Sequence, residues 1–392
     1  MTSRLVEIVR DLKMHLPKGK SAFLWGPRKT GKTTLLRHYF SNSPYYDLLE
    51  TDTFLRLSKE PFRLREELNA VEIRYGVPII IDEVQKIPSL LDEIHSLIEK
   101  KKLSFLLCGS SARKLKKTHA NMLGGRAWRF ELHPFTSHEL GKDFDLMRAL
   151  NQGLVPSHYL SSFPERELKA YLQDYLKEEI QQEALVRNLP SFARFLDAVS
   201  FVNGELVNYA NIARDCGVDS KTVAEYHRIL EDTLIGHFLE PFRKQRKRQI
   251  ISATPKFYLF DVGVAGALMK RKMKVNQGVE FGKALEHFIF MELVAYRSYR
   301  EKDFRLSFWR TKDGDEVDFV IDDGRIAIEV KSTKNVDSKD LKGLNLFHQE
   351  HRSQKSILIC QESVPRKINE HLQVLPIQVF LKKLWSDELI DE

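Results

Sequence analysis

Short apolar runs alternate with stretches of helical spacing through the first third of the chain. Phe23-Leu24-Trp25, the segment 45–49, Pro78-Ile79-Ile80-Ile81 and the runs 103–108 and 128–132 read as strands. Uninterrupted apolar runs of this kind suit parallel strands covered on both faces. Helical spacing is read at residues 4–15 (Leu5, Ile8, Val9, Leu12), ending at Pro17-Lys18-Gly19-Lys20. It recurs at 32–40 and at 61–75, where Leu64, Leu68, Val71 and Tyr75 share one side. The β-α-β-α-β-α-β-α-β alternation predicts a three-layer α/β unit ending near residue 135, with 128–132 as an edge strand.

Two changes of pattern follow. Residues 137–190 read as mostly helical, with a stripe of Leu168, Tyr171, Leu172, Tyr175 and Ile180 suited to a helical lid on the first unit. Two short helices, 209–215 and 220–230, flank the turn Cys216-Gly217-Val218-Asp219. Small Ala213 and apolar Val218 and Val223 let them cross closely, the pattern of a helix-turn-helix. Strand-like runs at 235–242 and 256–260 then bracket Arg243-Lys244-Gln245-Arg246-Lys247-Arg248, a basic wing. From residue 278 a third unit begins. It has an apolar helix at 282–299, strands at 306–310, 316–321 and 325–331 joined by Asp/Gly turns, a strand at 356–360 and a closing helix at 377–385. The division expected is 1–136, 137–200, 201–262 and 263–392.

Candidate chemistry concentrates at the first strand-to-helix turn. Gly26-Pro27-Arg28-Lys29-Thr30-Gly31-Lys32-Thr33, followed by Thr34, fits G-x-x-x-x-G-K-[ST] between a strand and a helix. Glycines let the backbone curl and turn its N–H groups onto an anion, and the helix start adds its positive end. Lys32 would reach the β- and γ-phosphates of a nucleoside triphosphate and Thr33 would bind Mg²⁺. Asp82 and Glu83 end a buried strand, where open α/β sheets place ligands; Asp82 would hold the metal and Glu83 would polarise water. Ser110 reads equally as a γ-phosphate sensor or a helix cap. Arg126 reads as an arginine finger to a neighbouring subunit or as a surface ion pair.

In the third unit, Asp318, Glu329 and Lys331 form D-x₁₀-E-x-K across a hairpin, with Glu286 available from the preceding helix. Two or three acids and a lysine are the composition of a metal-dependent phosphodiesterase site using Mg²⁺ or Mn²⁺. Ordinary exposed hairpin charges are the competing reading, and the apolar setting of Asp318 and Glu329 favours the site.

Charge adds a partner. A net charge of +8 leans towards an acidic one, nucleic acid first. Lys221, Thr222, Arg243, Lys244, Arg246, Lys247 and Arg248 would contact DNA, although winged helices also serve as spacers. Cys108, Cys216 and Cys360 are isolated, which excludes a disulfide framework and leads to the expectation of a reducing, cytoplasmic setting. No apolar run approaches a membrane span, so no membrane partner is expected.

With these residues in order, the chain resembles the prokaryotic AAA+ ATPases, abundant in archaea, that carry a C-terminal restriction-endonuclease-like PD-(D/E)xK domain. The marks are residues 26–36, Ile81-Asp82-Glu83-Val84-Gln85-Lys86-Ile87-Pro88, Cys108-Gly109-Ser110-Ser111, Gly124-Gly125-Arg126, residues 309–320 and Ile328-Glu329-Val330-Lys331-Ser332-Thr333. The resemblance implies a three-layer P-loop AAA+ domain with helical lid, a winged helix-turn-helix and a C-terminal α/β nuclease-like domain. It implies ATP and Mg²⁺ as cofactors, with Lys32 on phosphate, Thr33 and Asp82 on Mg²⁺, Glu83 as catalytic acid/base and Ser110 as sensor. Glu286, Asp318, Glu329 and Lys331 fall at the nuclease-like site, and assembly as a ring is implied, with dimer or monomer left open. Two functions follow: a Mg²⁺-dependent ATPase coupling nucleotide state to DNA binding and cleavage, or a non-cleaving switch in regulation, defence or mobile-element control.

Overall fold

A period of two, not of 3.6, governs burial at the start of the chain. In the computed structural model, which describes residues 8–74, 76–111, 113, 115, 123–176, 188–243 and 254–390, residues 8–20 form an extended strap instead of the expected helix. Leu12 and Met14 are buried while Lys13 and His15 face outward, and Val9 is 74% exposed. The apolar residues of so short a stretch fit either period; packing along the first domain's core selects the extended one. Leu5 lies outside the described residues.

The strap leads into β1 (Ser21–Trp25) and then α1 (Lys32–Tyr39), β2 (Tyr45–Asp47), α2 (Thr51–Lys59), α3 (Arg63–Asn69), β3 (Ile79–Asp82), α4 (Leu90–Lys101), β4 (Phe105–Gly109) and β5 (Ala127–Glu131). The strands form a parallel five-stranded sheet in the order β2-β3-β4-β1-β5, with β5 at an edge as its sequence predicts. Alternation divides each strand between two cores. Phe23, Trp25, Ile79, Ile81 and Leu107 pack with α3 and α4, while Ala22, Leu24, Ile80 and Leu106 pack with α1 on the other face. The expected 61–75 helix stops at Asn69, leaving Val71 54% exposed; Tyr75 lies outside the described residues. α2 occupies a stretch to which the apolar pattern assigns no element.

Beyond the sheet come α5 (Ser137–Leu140), α6 (Leu146–Gln152), α7 (Pro156–Tyr159), α8 (Pro164–Ala170), α9 (Leu189–Phe201), α10 (Tyr209–Cys216) and α11 (Ser220–Asp232). Asp219 caps α11 by accepting from Thr222 N–H at 2.8 Å, and Gly217, with φ of 67°, supplies the left-handed residue that ends α10. The stretch expected as a lid divides between two cores, with Leu140, Ala149, Leu150 and Tyr159 packing with Ala22 and Leu24 of the sheet. Leu168 and Tyr171 share a core with Phe192, Phe195, Val223 and Ile229, so their helix packs with the helix-turn-helix. An amphipathic stripe states that a face is buried, not against what. A boundary at 200/201 would therefore cut a shared core. The Tyr175 side chain and Ile180 lie outside the description.

An antiparallel pair, β6 (Gly236–Pro241) and β7 (Lys256–Leu259), follows, then α12 (Val262–Leu268) and α13 (Val279–Tyr299). The C-terminal part holds β8 (Leu306–Arg310), β9 (Glu316–Ile321), β10 (Ile326–Val330), α14 (Lys342–His351), β11 (Lys355–Cys360), β12 (Arg366–Lys367), β13 (Leu372–Pro376) and α15 (Ile377–Trp385). β6 pairs with β8 through Glu240–Ser307 and Pro241–Phe308, so one eight-stranded sheet joins the hairpin to the C-terminal strands. No described helix is long and apolar enough to cross a membrane.

Buried Glu292 on α13 ties three segments together. It accepts from Ser137 N–H and Oγ at 2.7 and 2.8 Å and from Trp385 Nε1 at 2.7 Å. Burial pushes its carboxyl up to about 7, against the pull of these donors. Between the unfolded value and about 7 the folded chain holds a proton that the unfolded chain has released, so this group's contribution to stability falls as pH rises through that window. Unfolding free energies from urea titration at about pH 5 and about pH 7.5 should differ by up to about 3 kcal/mol more in the wild type than in Glu292→Gln. Equal pH dependence in both would contradict this.

Candidate functional site

β1 ends against a loop that only glycine can begin. A Cβ on Gly26 would stand 2.4 Å from the Leu132 carbonyl oxygen. Lys29 (φ 62°) and Gly31 (φ 94°) adopt left-handed backbone, curling the loop before α1. Thr30 Oγ1 donates to Pro27 O at 2.8 Å and holds the curl. Lys32 is buried, and its Nζ arcs back to donate to Gly26 O at 2.7 Å and Pro27 O at 3.1 Å. No side chain caps α1, and among the described residues the Gly31 N–H meets no protein acceptor. An uncapped helix start under a curled loop is an anion cradle.

Sheet order explains which other residues meet this loop. β4 lies between β1 and β3, so Ser110 at its end stands between the loop and Asp82-Glu83. Thr33 Oγ1 donates to Asp82 Oδ2 at 2.8 Å, and Tyr45 Oη donates to the same oxygen at 2.5 Å. Two adjacent hard oxygen groups, one a hydroxyl and one a carboxylate, are a donor set that suits Mg²⁺. Glu83, 8% exposed and left-handed at φ 58°, accepts from Gln85 Nε2 at 2.5 Å. Gln85 Nε2 also reaches Ser110 Oγ at 3.1 Å, linking the strand-end acid to the β4 hydroxyl. A Cβ on Gly109 would lie 2.3 Å from Gln85 Oε1, so a glycine there admits this glutamine. Burial raises the Glu83 carboxyl, opposed by the charges of Lys32 and Arg28.

Other loop positions face outward. Lys29 Nζ pairs with Glu167 of α8 at 3.3 Å, and Thr34 is exposed. Arg126 is remote from its own chain's loop. Ala127 pairs with Ser21 at the start of β1, whereas the loop follows Trp25 at the other end, and Arg126 forms a surface ion pair with Glu99. The ion-pair reading of Arg126 is the one present within the chain; the arginine-finger reading concerns a neighbouring subunit.

The C-terminal acids do converge, with partners the spacing does not name. Asp318 and Glu329 are buried on adjacent strands; Val330 N–H donates to Asp318 Oδ2 at 2.7 Å, and Lys331 Nζ donates to Glu329 Oε1 at 2.5 Å. Lys256, from β7, is 3% exposed and reaches Glu286 Oε1 at 3.1 Å and Glu316 Oε1 at 2.5 Å. Tyr258 Oη donates to Glu286 Oε1 at 2.5 Å. Burial raises the Asp318 carboxyl well above its ordinary range, and Glu329 and Glu286 add to it. Among the described residues no group of three or more His, Cys, Asp or Glu is disposed to hold a metal ion. The expected second metal does not fit: two lysines and a backbone amide already engage the carboxylates.

At the helix-turn-helix, Lys221 is exposed, but the Thr222 hydroxyl donates to Asp219 Oδ2 at 3.0 Å. Arg243 is exposed, while Lys244, Arg246, Lys247 and Arg248 lie outside the described residues. The Glu225 side chain on α11 is 47% exposed and also reaches the first unit. Arg113, buried just past β4, pairs through Nη1 with Asp232 Oδ2 at 2.8 Å and through Nη2 with Glu225.

Three family models match the chain. Residues 143–275 match a domain of unknown function (DUF8612), and residues 281–380 match another (DUF4143). None of the curated proteins matches it. Residues 18–141, which carry the loop, the strand-end acids and the parallel sheet described above, match the AAA domain, which supports a P-loop ATPase of the AAA type.

Proposed function

We propose that the chain binds and hydrolyses ATP with Mg²⁺ and couples its nucleotide state to DNA binding by a winged helix-turn-helix. In this reading Lys32 exchanges its carbonyl partners for β- and γ-phosphate oxygens, and Thr33 and Asp82 hold Mg²⁺. When bound there, the metal would supply charge neutralisation on the phosphates. Glu83 takes a proton from water, with Gln85 fixing that carboxylate and relating it to Ser110. The exposed Lys221 and Arg243 would meet DNA phosphates.

The observation that carries the coupling is Arg113. It follows Ser110 and Ser111 by two to three residues and grips two acids of α11, the helix that would read DNA. A shift at the γ-phosphate would act on α11 through this one guanidinium. Fluorescence anisotropy with duplex DNA at low salt tests it. Wild type is expected to bind about tenfold more tightly with ATP than without, and Arg113→Met is expected to bind equally in both states, the size of a typical coupling energy. Equal wild-type affinities in the two states would contradict the coupling.

The C-terminal unit is read as a non-cleaving module, because Lys256 and Lys331 already engage Glu286, Glu316 and Glu329. Incubation with linear, circular, branched and single-stranded DNA and Mg²⁺ or Mn²⁺ should yield no products. Cleavage that disappears in Asp318→Ala would overturn this.

A further inference from the structure

The loop residues of the nucleotide site are held from outside the P-loop motif, by the extended strap that precedes β1. Arg10 is buried there, and its guanidinium makes a fan of polar contacts. Nη1 donates to Thr30 O at 2.7 Å, and Nη2 donates to His133 O at 2.7 Å, to Pro134 O at 3.3 Å and to Tyr299 Oη at 3.2 Å. Nε donates to Glu139 Oε1 at 2.9 Å. Glu139 is itself saturated, since it accepts from Asp11 N–H at 2.8 Å and from Thr136 N–H at 3.0 Å. A buried ion pair so fully hydrogen-bonded has one geometry available to it.

The consequence lies in the Thr30–Gly31 peptide. A trans peptide is planar, with its C=O and N–H pointing in opposite directions, and no described peptide bond is cis. Pinning Thr30 O onto Arg10 therefore turns the Gly31 N–H away from the strap and towards the concave side of the loop. Among the described residues that N–H meets no protein acceptor. Gly31 also sits at φ 94°, where the backbone gives little help of its own in choosing this orientation.

We infer that Arg10 is a positioning residue for the nucleotide site: it presents the Gly31 amide to the phosphates and, through Tyr299 of α13, makes the C-terminal unit part of that support. This rests on the reading of residues 26–33 as a nucleotide loop. Because the amide would serve any bound polyphosphate, Arg10 acts on ADP and ATP alike and not on the hydrolytic step.

The test is calorimetric titration of ADP and of ATP, each with Mg²⁺, into wild type, Arg10→Gln, Arg10→Lys and the double variant Arg10→Met/Glu139→Gln. The double variant removes both charges together, which keeps the fold where the single change leaves Glu139 unpaired. Arg10→Gln and the double variant are expected to weaken both nucleotides by about tenfold each, with kcat at saturation within about threefold of wild type. Arg10→Lys, which can still donate to Thr30 O, should recover part of the affinity. Folded variants that bind both nucleotides as wild type does would overturn the inference while leaving the nucleotide site standing. Absence of binding in wild type would remove the site and the inference together.

Discussion

Glu83→Gln is expected to bind ATP within about twofold of wild type and to lose turnover by about 100-fold or more, the usual contribution of a general base. The amide keeps the size of the side chain and its contact with Gln85, which reaches Glu83 Oε2 at 2.5 Å, but cannot accept a proton from water. Because burial raises this carboxyl, wild-type turnover should climb with pH above the ordinary carboxylate range, as the ionised base becomes populated. The residual rate of the variant should lack that climb. Phosphate release under saturating ATP measures both. Unchanged turnover in the variant would place the base elsewhere, with Asp82 the next carboxylate along the strand.

The second large effect concerns Lys256. Its ammonium is buried between Glu286 and Glu316, and burial of the charge is more than offset by Glu286, Asp318 and Glu316. Lys256→Met strands these acids and should cost about 3–5 kcal/mol near neutral pH, the cost of breaking a buried ion pair from one side. The sign with pH follows from the acids that remain. Asp318 is already raised by burial and loses the opposing charge of Lys256 in the variant, so its protonation on acidification relieves part of the penalty and the loss shrinks. Urea unfolding followed by tryptophan fluorescence reports it. A loss below about 1 kcal/mol at both pH values would mean that the pair is no more than a surface contact.

The parts of this protein legible in its sequence are those whose chemistry is contiguous. Residues 23–33 carry strand, loop, anion cradle and helix start within one stretch, and Pro78 to Glu83 joins a buried strand to its terminal acids. The C-terminal hairpin is legible for the same reason: turns of Asp and Gly fix which strands meet, and alternation places Glu329 beside Lys331. What escaped is what depends on contacts between distant segments. Tyr45 bonds to Asp82 across neighbouring strands, Lys256 enters the acid cluster from β7, and Arg113 and Arg10 are single polar residues within no pattern. Gln85 had a weak local signal, being two residues beyond a strand-end acid, but its role requires the order of β3 and β4. The strap at 8–20 was misread because apolar residues in so short a segment satisfy two periods, and only the surface it packs against decides between them. The helices assigned to a lid have evident apolar faces but divided partners: Leu140, Leu150 and Tyr159 pack with the core of the first sheet, whereas Leu168, Tyr171 and Phe195 pack with α10 and α11.

The account rests on the loop of residues 26–33 gripping a nucleotide. Calorimetric titration of ATP with Mg²⁺ into wild type and Lys32→Ala measures this with no reference to DNA, turnover or assembly. Saturable heat of binding in wild type, absent from a folded Lys32→Ala, is the predicted result. No heat in folded wild type, or the same affinity in both proteins, would contradict it.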